Sequence, residues 1–105
     1  MIARLWTGTT RAEDAEAYAG YLDMTGVPEL SETPGNRGVA VLREVDGDRA
    51  TFVVMSLWGS EDDIRAFAGQ DVTRARYYPE DDRFLLTKPE RTTHYEVLRA
   101  PAPVR

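Results

Sequence analysis

Two residues in this chain have the type and spacing to do chemistry, His94 and Arg4. His94 is the sole histidine and stands in RTTHYEVLRA, residues 91–100, two positions before Glu96. Arg4 interrupts the otherwise apolar run IARLWTG, residues 2–8. Alternation along an extended chain puts His94, Glu96 and Leu98 on one face, with Tyr95 and Val97 on the other. Ile2, Arg4 and Trp6 share a face in the same way. If the two segments are neighbouring strands, Arg4, His94 and Glu96 can meet on one surface. An Arg–Glu pair beside an imidazole would fix its tautomer and raise its pKa. Such a histidine could act near neutral pH as a base toward a phenol, or as a cation toward a developing oxyanion. Arg4 could hold a carboxylate, enolate or phenolate. The competing interpretation is structural: an ion-pair network or dimer contact for His94, and a pairing of Arg4 with Glu96 or Glu44. A metal site is not expected, because one His, no Cys and scattered carboxylates offer no ligand spacing. No cofactor is expected either.

The aromatic residues Trp6, Tyr18, Tyr21, Trp58, Phe67, Tyr77 and Tyr78 fall near strand ends and on helix faces. A mostly apolar pocket for a flat ligand uses such side chains, and so does an ordinary core. Trp6, Trp58, Phe67, Tyr77, Tyr78 and Glu96 are the candidates for holding a substrate. The hydroxyls of Tyr77 and Tyr78, just before Pro79, suit a polar group on that ligand. The acidic run PEDDR, residues 79–83, reads as a solvated face.

What positions these residues must be one folded unit. The chain has 105 residues, of which 42% are hydrophobic and 30% charged, the make-up of a single soluble domain. A net charge of −5 repels phosphate backbones and argues against nucleic acid as a partner. No apolar run approaches the roughly 20 residues of a membrane span, and MIARLWTG has no signal-like apolar core. With no Cys, disulfides and thiolate chemistry are absent. The expected location is the cytoplasm.

Residues 2–8 read as a first strand. Thr10 to Glu13 matches an S/T-x-x-E capping box, and Ala15, Tyr18, Ala19 and Leu22 then form a helical stripe. Gly26 and Pro28 interrupt it, and Pro28 suits the first turn of a second helical piece through Leu30. Residues 37–45 and 49–58 flank Asp46-Gly47-Asp48, a strong hairpin signal. Ser60 with three following acids starts another helix, carrying Ile64, Phe67 and Ala68 and ending at Gly69. Asp71 is expected to cap a short helix with Val72 and Ala75, and residues 79–86 to form one more. Residues 92–100 read as the last strand. The domain spans 1–100, and 101–105 is a loose tail.

The order β-α-β-β-α-β is that of a ferredoxin-like α+β domain, an antiparallel four-stranded sheet with helices on one face. A faint repeat agrees, LWTGTTRAEDAEAYAG at 5–20 against LWGSEDDIRAFAG at 57–69. The third strand is apolar on both sides, with Phe52, Val54 and Trp58 against Val53, Met55 and Leu57. Burying apolar area is worth about 25 cal/mol per Å², so the face that the helices leave bare calls for a cover. A second copy of the chain is the simplest one, which makes a homodimer the expected partner.

With the elements placed, the sequence resembles the antibiotic biosynthesis monooxygenase superfamily, small dimeric α+β barrel proteins. The resemblance lies in MIARLWTGTT, TPGNRGVAVLRE, FVVMSLWGSEDDIRAFAG and HYEV, and covers about residues 1–99. It implies a homodimer with a pocket between sheet and helices in each subunit. One branch of that family oxygenates phenols to quinones with O₂ and no cofactor, using Asn, Trp, Tyr and Arg around the substrate; Trp58, Tyr77, Tyr78 and Arg4 are the counterparts on offer here. The haem-degrading branch places a His near the position of Tyr77, an Asn near Arg4 and a Trp near Phe67, and this chain lacks all three. The resemblance implies a cofactor-independent monooxygenase acting on a small aromatic or enolic substrate. A ligand-binding dimer without turnover, a haem-binding protein, and a cyclase or isomerase on the same fold are the alternatives.

Overall fold

The structure is a computed structural model that describes residues 1–101; the tail expected at 101–105 lies outside the described residues apart from Pro101. Four strands form one antiparallel sheet: β1 (Ile2–Arg11), β2 (Asn36–Asp46), β3 (Arg49–Trp58) and β4 (Thr93–Glu96). Their spatial order is β2-β3-β1-β4. Helices α1 (Ala15–Met24), α2 (Gly26–Glu32), α3 (Glu61–Ala68) and the single turn α4 (Asp81–Phe84) complete the chain. This is the expected ferredoxin-like α+β architecture, with the helices packed on one face of the sheet.

The hairpin turns where the sequence indicates. Asp46 pairs with Arg49, and Gly47 takes a positive φ of 60° in the two-residue loop between them, the position glycine fills in a II′ hairpin turn. The period-two pattern then sorts β3. Ala50, Phe52, Val54, Ser56 and Trp58 are buried under the helices, while Thr51, Val53, Met55 and Leu57 on the other face are half-buried. Around that second face stand Leu42, 54% exposed, and Tyr95, 57% exposed. The sheet is therefore apolar on both sides, and within the chain only one side is covered.

Tyr18, Phe52, Trp58 and Ile64 form the fully buried centre. Tyr18 and Phe52 meet edge to face with centroids 5.1 Å apart, a favoured aromatic geometry. The indole N–H of Trp58 donates to Ser56 Oγ at 2.8 Å, so the largest core side chain leaves no polar atom unmet. Ser60 caps α3 by accepting from the Asp63 N–H at 3.3 Å, and Gly69 ends it with a positive φ, both as expected. The break between α1 and α2 falls at Thr25, and Pro28 sits in the first turn of α2, where its missing N–H costs nothing.

Four local expectations are corrected. Thr10 does not open a capping box: it is the buried penultimate residue of β1, and its hydroxyl donates to the Arg11 carbonyl. Pairing of Arg11 with Arg49 extends that strand past the Gly–Thr punctuation. No helix forms at 71–76. The Asp71 carboxylate instead accepts from the N–H and hydroxyl of Thr73, a local turn that competes with helix. The helix expected over 79–86 shrinks to Asp81–Phe84, and the last strand to Thr93–Glu96. Residues 69–92 thus form a long strap. It is stitched to itself where the Ala75 N–H donates to the Glu90 carbonyl, and to β1 where the Leu86 N–H donates to the Thr9 carbonyl.

Candidate functional site

Between the sheet, α1, α2 and the strap lies a depression lined by Arg4, Trp6, Tyr18, Leu22, Phe67, Arg76, Tyr77, Tyr78 and Asp81, among others. Its cavity volume is about 50 Å³. That space has room for a few waters, and the depression opens to solvent at its mouth.

β1 forms the floor. Strand alternation aims Arg4 and Trp6 at the helices, and the register Arg4↔His94 and Ile2↔Glu96 puts His94 and Glu96 on that same face. Arg4 is only 4% exposed. One terminal nitrogen donates to the Arg74 carbonyl at 2.8 Å, and the guanidinium lies 5.3 Å from the Phe67 ring centroid. Its Nε is buried without a partner, and among the described residues no carboxylate lies within ion-pair distance. Burial lowers its pKa to about 10, slightly offset by Tyr78. Arg4 is therefore a buried cation at neutral pH with no carboxylate within ion-pair distance among the described residues. The pairing with Glu96 or Glu44 expected on structural grounds is not made.

The aromatic wall is tied together by hydrogen bonds. The Trp6 indole N–H donates to the Tyr77 hydroxyl at 3.1 Å, and that hydroxyl donates in turn to the Pro89 carbonyl. The Tyr78 hydroxyl donates to Glu29 at 2.7 Å, and Arg76 pairs with the same carboxylate at 3.1 Å. Arg76 also lies 5.3 Å from the Phe67 centroid, so two guanidiniums flank one ring. Burial raises the phenol pKa of Tyr78, and its hydrogen bond to Glu29 adds to the shift. Burial likewise raises that of Tyr77, against the lowering effect of Trp6. Both remain protonated donors.

Of the residues singled out in the sequence, Arg4, Trp6, Phe67, Tyr77 and Tyr78 come together around this depression. Trp58, His94 and Glu96 do not line it. Trp58 is sealed in the core at 0% exposure. Glu96 is exposed and makes no ion pair with Arg4. His94 is half-buried beneath the strap, with Nε2 3.3 Å from the Thr92 hydroxyl. Its pKa is lowered, first by burial and then by the Arg4 charge, with Glu61 and the Val72 carbonyl opposing. The expected rise is corrected: without Glu96, burial and the Arg4 charge outweigh Glu61 and disfavour imidazolium.

One residue of the depression comes from the run whose sequence reads as a solvated face. Asp81 is 3% exposed. Its Oδ1 accepts from the Tyr18 hydroxyl at 2.8 Å and its Oδ2 from the Tyr78 N–H at 2.6 Å. The helical repeat that places Tyr18 inward was visible, but nothing local ties Tyr18 to a position 63 residues later.

No family model matches the sequence, and no curated protein matches it. Solved structures do. A provisionally assigned antibiotic biosynthesis monooxygenase from Bacillus cereus superposes with a TM-score of 0.64 at 19% identity, over 100% of this chain and 98% of that one. A second provisional assignment of the same kind, from Nitrosomonas europaea, gives 0.62 at 16% identity, over 94% and 100%. An arginine-to-serine variant of MhuD, solved with two manganese protoporphyrin IX molecules per active site, gives 0.60 at 18% identity, over 98% and 100%. The chain has the ferredoxin-like α+β fold of the antibiotic biosynthesis monooxygenase proteins, as the resemblance implies.

Proposed function

We propose that this chain is an antibiotic biosynthesis monooxygenase-type protein that binds a small aromatic or enolic molecule as its anion, and that it oxygenates this molecule with O₂ without a cofactor. The observation that carries the reading is Arg4: a buried guanidinium, unpaired by any carboxylate among the described residues, on the floor of an aromatic-walled depression. A buried charge without a counter-ion is costly, and a phenolate or enolate bound there would relieve the cost. The same contact would favour the ionised ligand over the neutral one, and the ionised form is the electron-rich species that O₂ attacks. For an activated methylene the balance is R₂CH₂ + O₂ giving R₂C=O and water. Trp6, Phe67, Tyr77 and Tyr78 would hold the ring. The acting form would be a homodimer, because Val53, Met55, Leu57, Leu42 and Tyr95 leave a second apolar sheet face without cover in the single chain.

The residues do not suit a porphyrin. The position closest to the haem ligand of the degrading branch is Tyr77, whose hydroxyl is already engaged by Trp6 and Pro89, and the one histidine does not line the depression. A Soret titration should give no specific complex.

The test is O₂ uptake, with and without protein, over a panel of anthrone- and naphthol-type phenols. Uptake that requires the protein and is lost in Arg4→Met supports the reading. Ligand-dependent melting shifts with no uptake across the panel would assign the site to binding without turnover.

A further inference from the structure

We propose that Asp81 is the base of this site, taking a proton from an enolisable ligand whose developing oxyanion lies against Arg4. The inference rests on reading the depression as the ligand site, and it gives that site a proton acceptor that His94 does not supply.

Among the described residues Asp81 is the one buried carboxylate and Arg4 the one buried cation. Both line the same depression. Two opposite charges taken out of water in so small a domain gain most by pairing. They do not pair: among the described residues neither has an ion-pair partner within 4.0 Å. Arg4 is held on the sheet through the Arg74 carbonyl, and Asp81 on the strap through Tyr18 and the Tyr78 N–H. The hollow is thus bounded by an uncompensated anion and an uncompensated cation.

That arrangement suits abstraction of a proton next to a carbonyl. The base must sit where the proton leaves, and a fixed cation where the negative charge arrives. A carboxylate has about four acceptor positions; two on Asp81 are filled, which leaves capacity for an incoming proton. Tyr18 cannot compete for it, since burial and the neighbouring carboxylate push its phenol pKa up and keep it a donor. In the step, a ligand C–H bond breaks and an O–H bond forms on Asp81. The freed electron pair makes a C=C bond and leaves the carbonyl oxygen as an enolate held by Arg4. Nothing is oxidised or reduced, so the step proceeds without O₂, and in D₂O its reversal returns deuterium to the carbon.

The experiment follows that exchange. The full chain is incubated anaerobically in D₂O with 1-tetralone or anthrone, and loss of the α-proton signal is followed by NMR. Binding of 1-naphthol is read by thermal shift on the same samples. Wild type and His94→Gln are expected to accelerate exchange over buffer. Asp81→Asn should lose about 10²-fold or more of it while binding 1-naphthol within a few-fold of wild type. Exchange in Asp81→Asn within about threefold of wild type overturns the inference, as does naphthol binding with no acceleration by the wild type. If Asp81→Asn does not fold, Asp81→Ser carries the same expectation. The wild-type pH profile is a further readout that needs no variant. Its controlling ionisation should show the near-zero heat of a carboxylate, and the large heat of an imidazole would overturn the assignment. The two readings separate cleanly. Asp81-dependent exchange without O₂ uptake leaves the base standing and removes the oxygenase, whereas O₂ uptake undiminished in Asp81→Asn does the reverse.

Discussion

Replacing Arg4 by Met should make the ligand-free protein more stable while removing its site. Burial lowers the guanidinium pKa from its ordinary value to about 10, a shift that costs on the order of a few kcal/mol. The folded state thus disfavours the protonated form, so at pH 7, below both values, the penalty is present in full. It would fade only as pH rises above about 10. The substitution also forfeits a hydrogen bond to the Arg74 carbonyl, worth about 1 kcal/mol, and the cation–Phe67 contact, worth about 0.5–1 kcal/mol. The burial penalty is the larger side, so the ligand-free Tm of Arg4→Met should rise by a few °C. Methionine suits the exchange because it is unbranched and fills irregular space. The assay is calorimetric or fluorimetric melting at one fixed protein concentration, with and without 1-naphthol. At about 100 times Kd the ligand should stabilise wild type by about 2.7 kcal/mol and leave Arg4→Met unmoved, so the two proteins exchange rank when ligand is added. If Arg4→Met melts below wild type and still responds to naphthol, Arg4 is a structural tie for the strap and the site must be sought elsewhere.

Three further outcomes follow from the same geometry. Ser56→Ala should cost about 1–3 kcal/mol, because it strands the Trp58 indole N–H at 0% exposure; urea unfolding measures it, and a neutral result would mean that Trp58 finds another acceptor. For His94, whose folded pKa lies below its ordinary value of 6.5, the unfolded chain binds the proton more readily. Stability should therefore fall as pH drops below about 6.5, until the depressed folded pKa is passed, and His94→Gln should flatten that part of the pH–stability curve. On the open sheet face, Val53→Asp should convert a dimer into a folded monomer by sedimentation velocity. A wild-type chain that already sediments as a folded monomer at micromolar concentration would remove the case for the second copy.

The sheet was legible because its information is local. Period-two alternation in IARLWTG and FVVMSLW decides which side chains share a face without knowledge of any distant contact, and Gly47 fixes the hairpin through its own φ. The placement of Arg4 beside His94 followed from topology alone. The strap was not legible. Asp71 could cap a helix or close a turn, and its contacts with Thr73 and Arg91 decide for the turn. Thr10 met the capping pattern, but the hairpin opposite carried β1 three residues further, to Arg11. The largest loss was Asp81. In PEDDR every charged residue looks alike, yet Asp82 pairs with Lys88 at the surface while its neighbour turns inward to Tyr18.

That difference between Asp81 and Asp82 bears on how the site is built. A chain with a net charge of −5 has carboxylates to spare, and an additional one beside Arg4 would remove an unfavourable buried charge at no cost in fold. The carboxylates instead pair with surface arginines, as Glu16 does with Arg43 and Asp71 with Arg91. Asp81, the one buried carboxylate among the described residues, is anchored by a phenol and a backbone N–H, both neutral donors that leave its charge uncancelled. Stability alone would favour either pairing the two buried charges or replacing both with apolar side chains. Keeping them apart on the walls of one hollow lowers stability locally, and sites where such local destabilisation persists are where ligands act. The double variant Arg4→Met/Asp81→Asn sharpens the point. If each charge answers to the ligand rather than to the other, their effects on ligand-free stability should add within about 0.5 kcal/mol, as for independent positions. A coupling well above that would mean the two charges already compensate each other across the empty hollow, and that no ligand is needed to account for them.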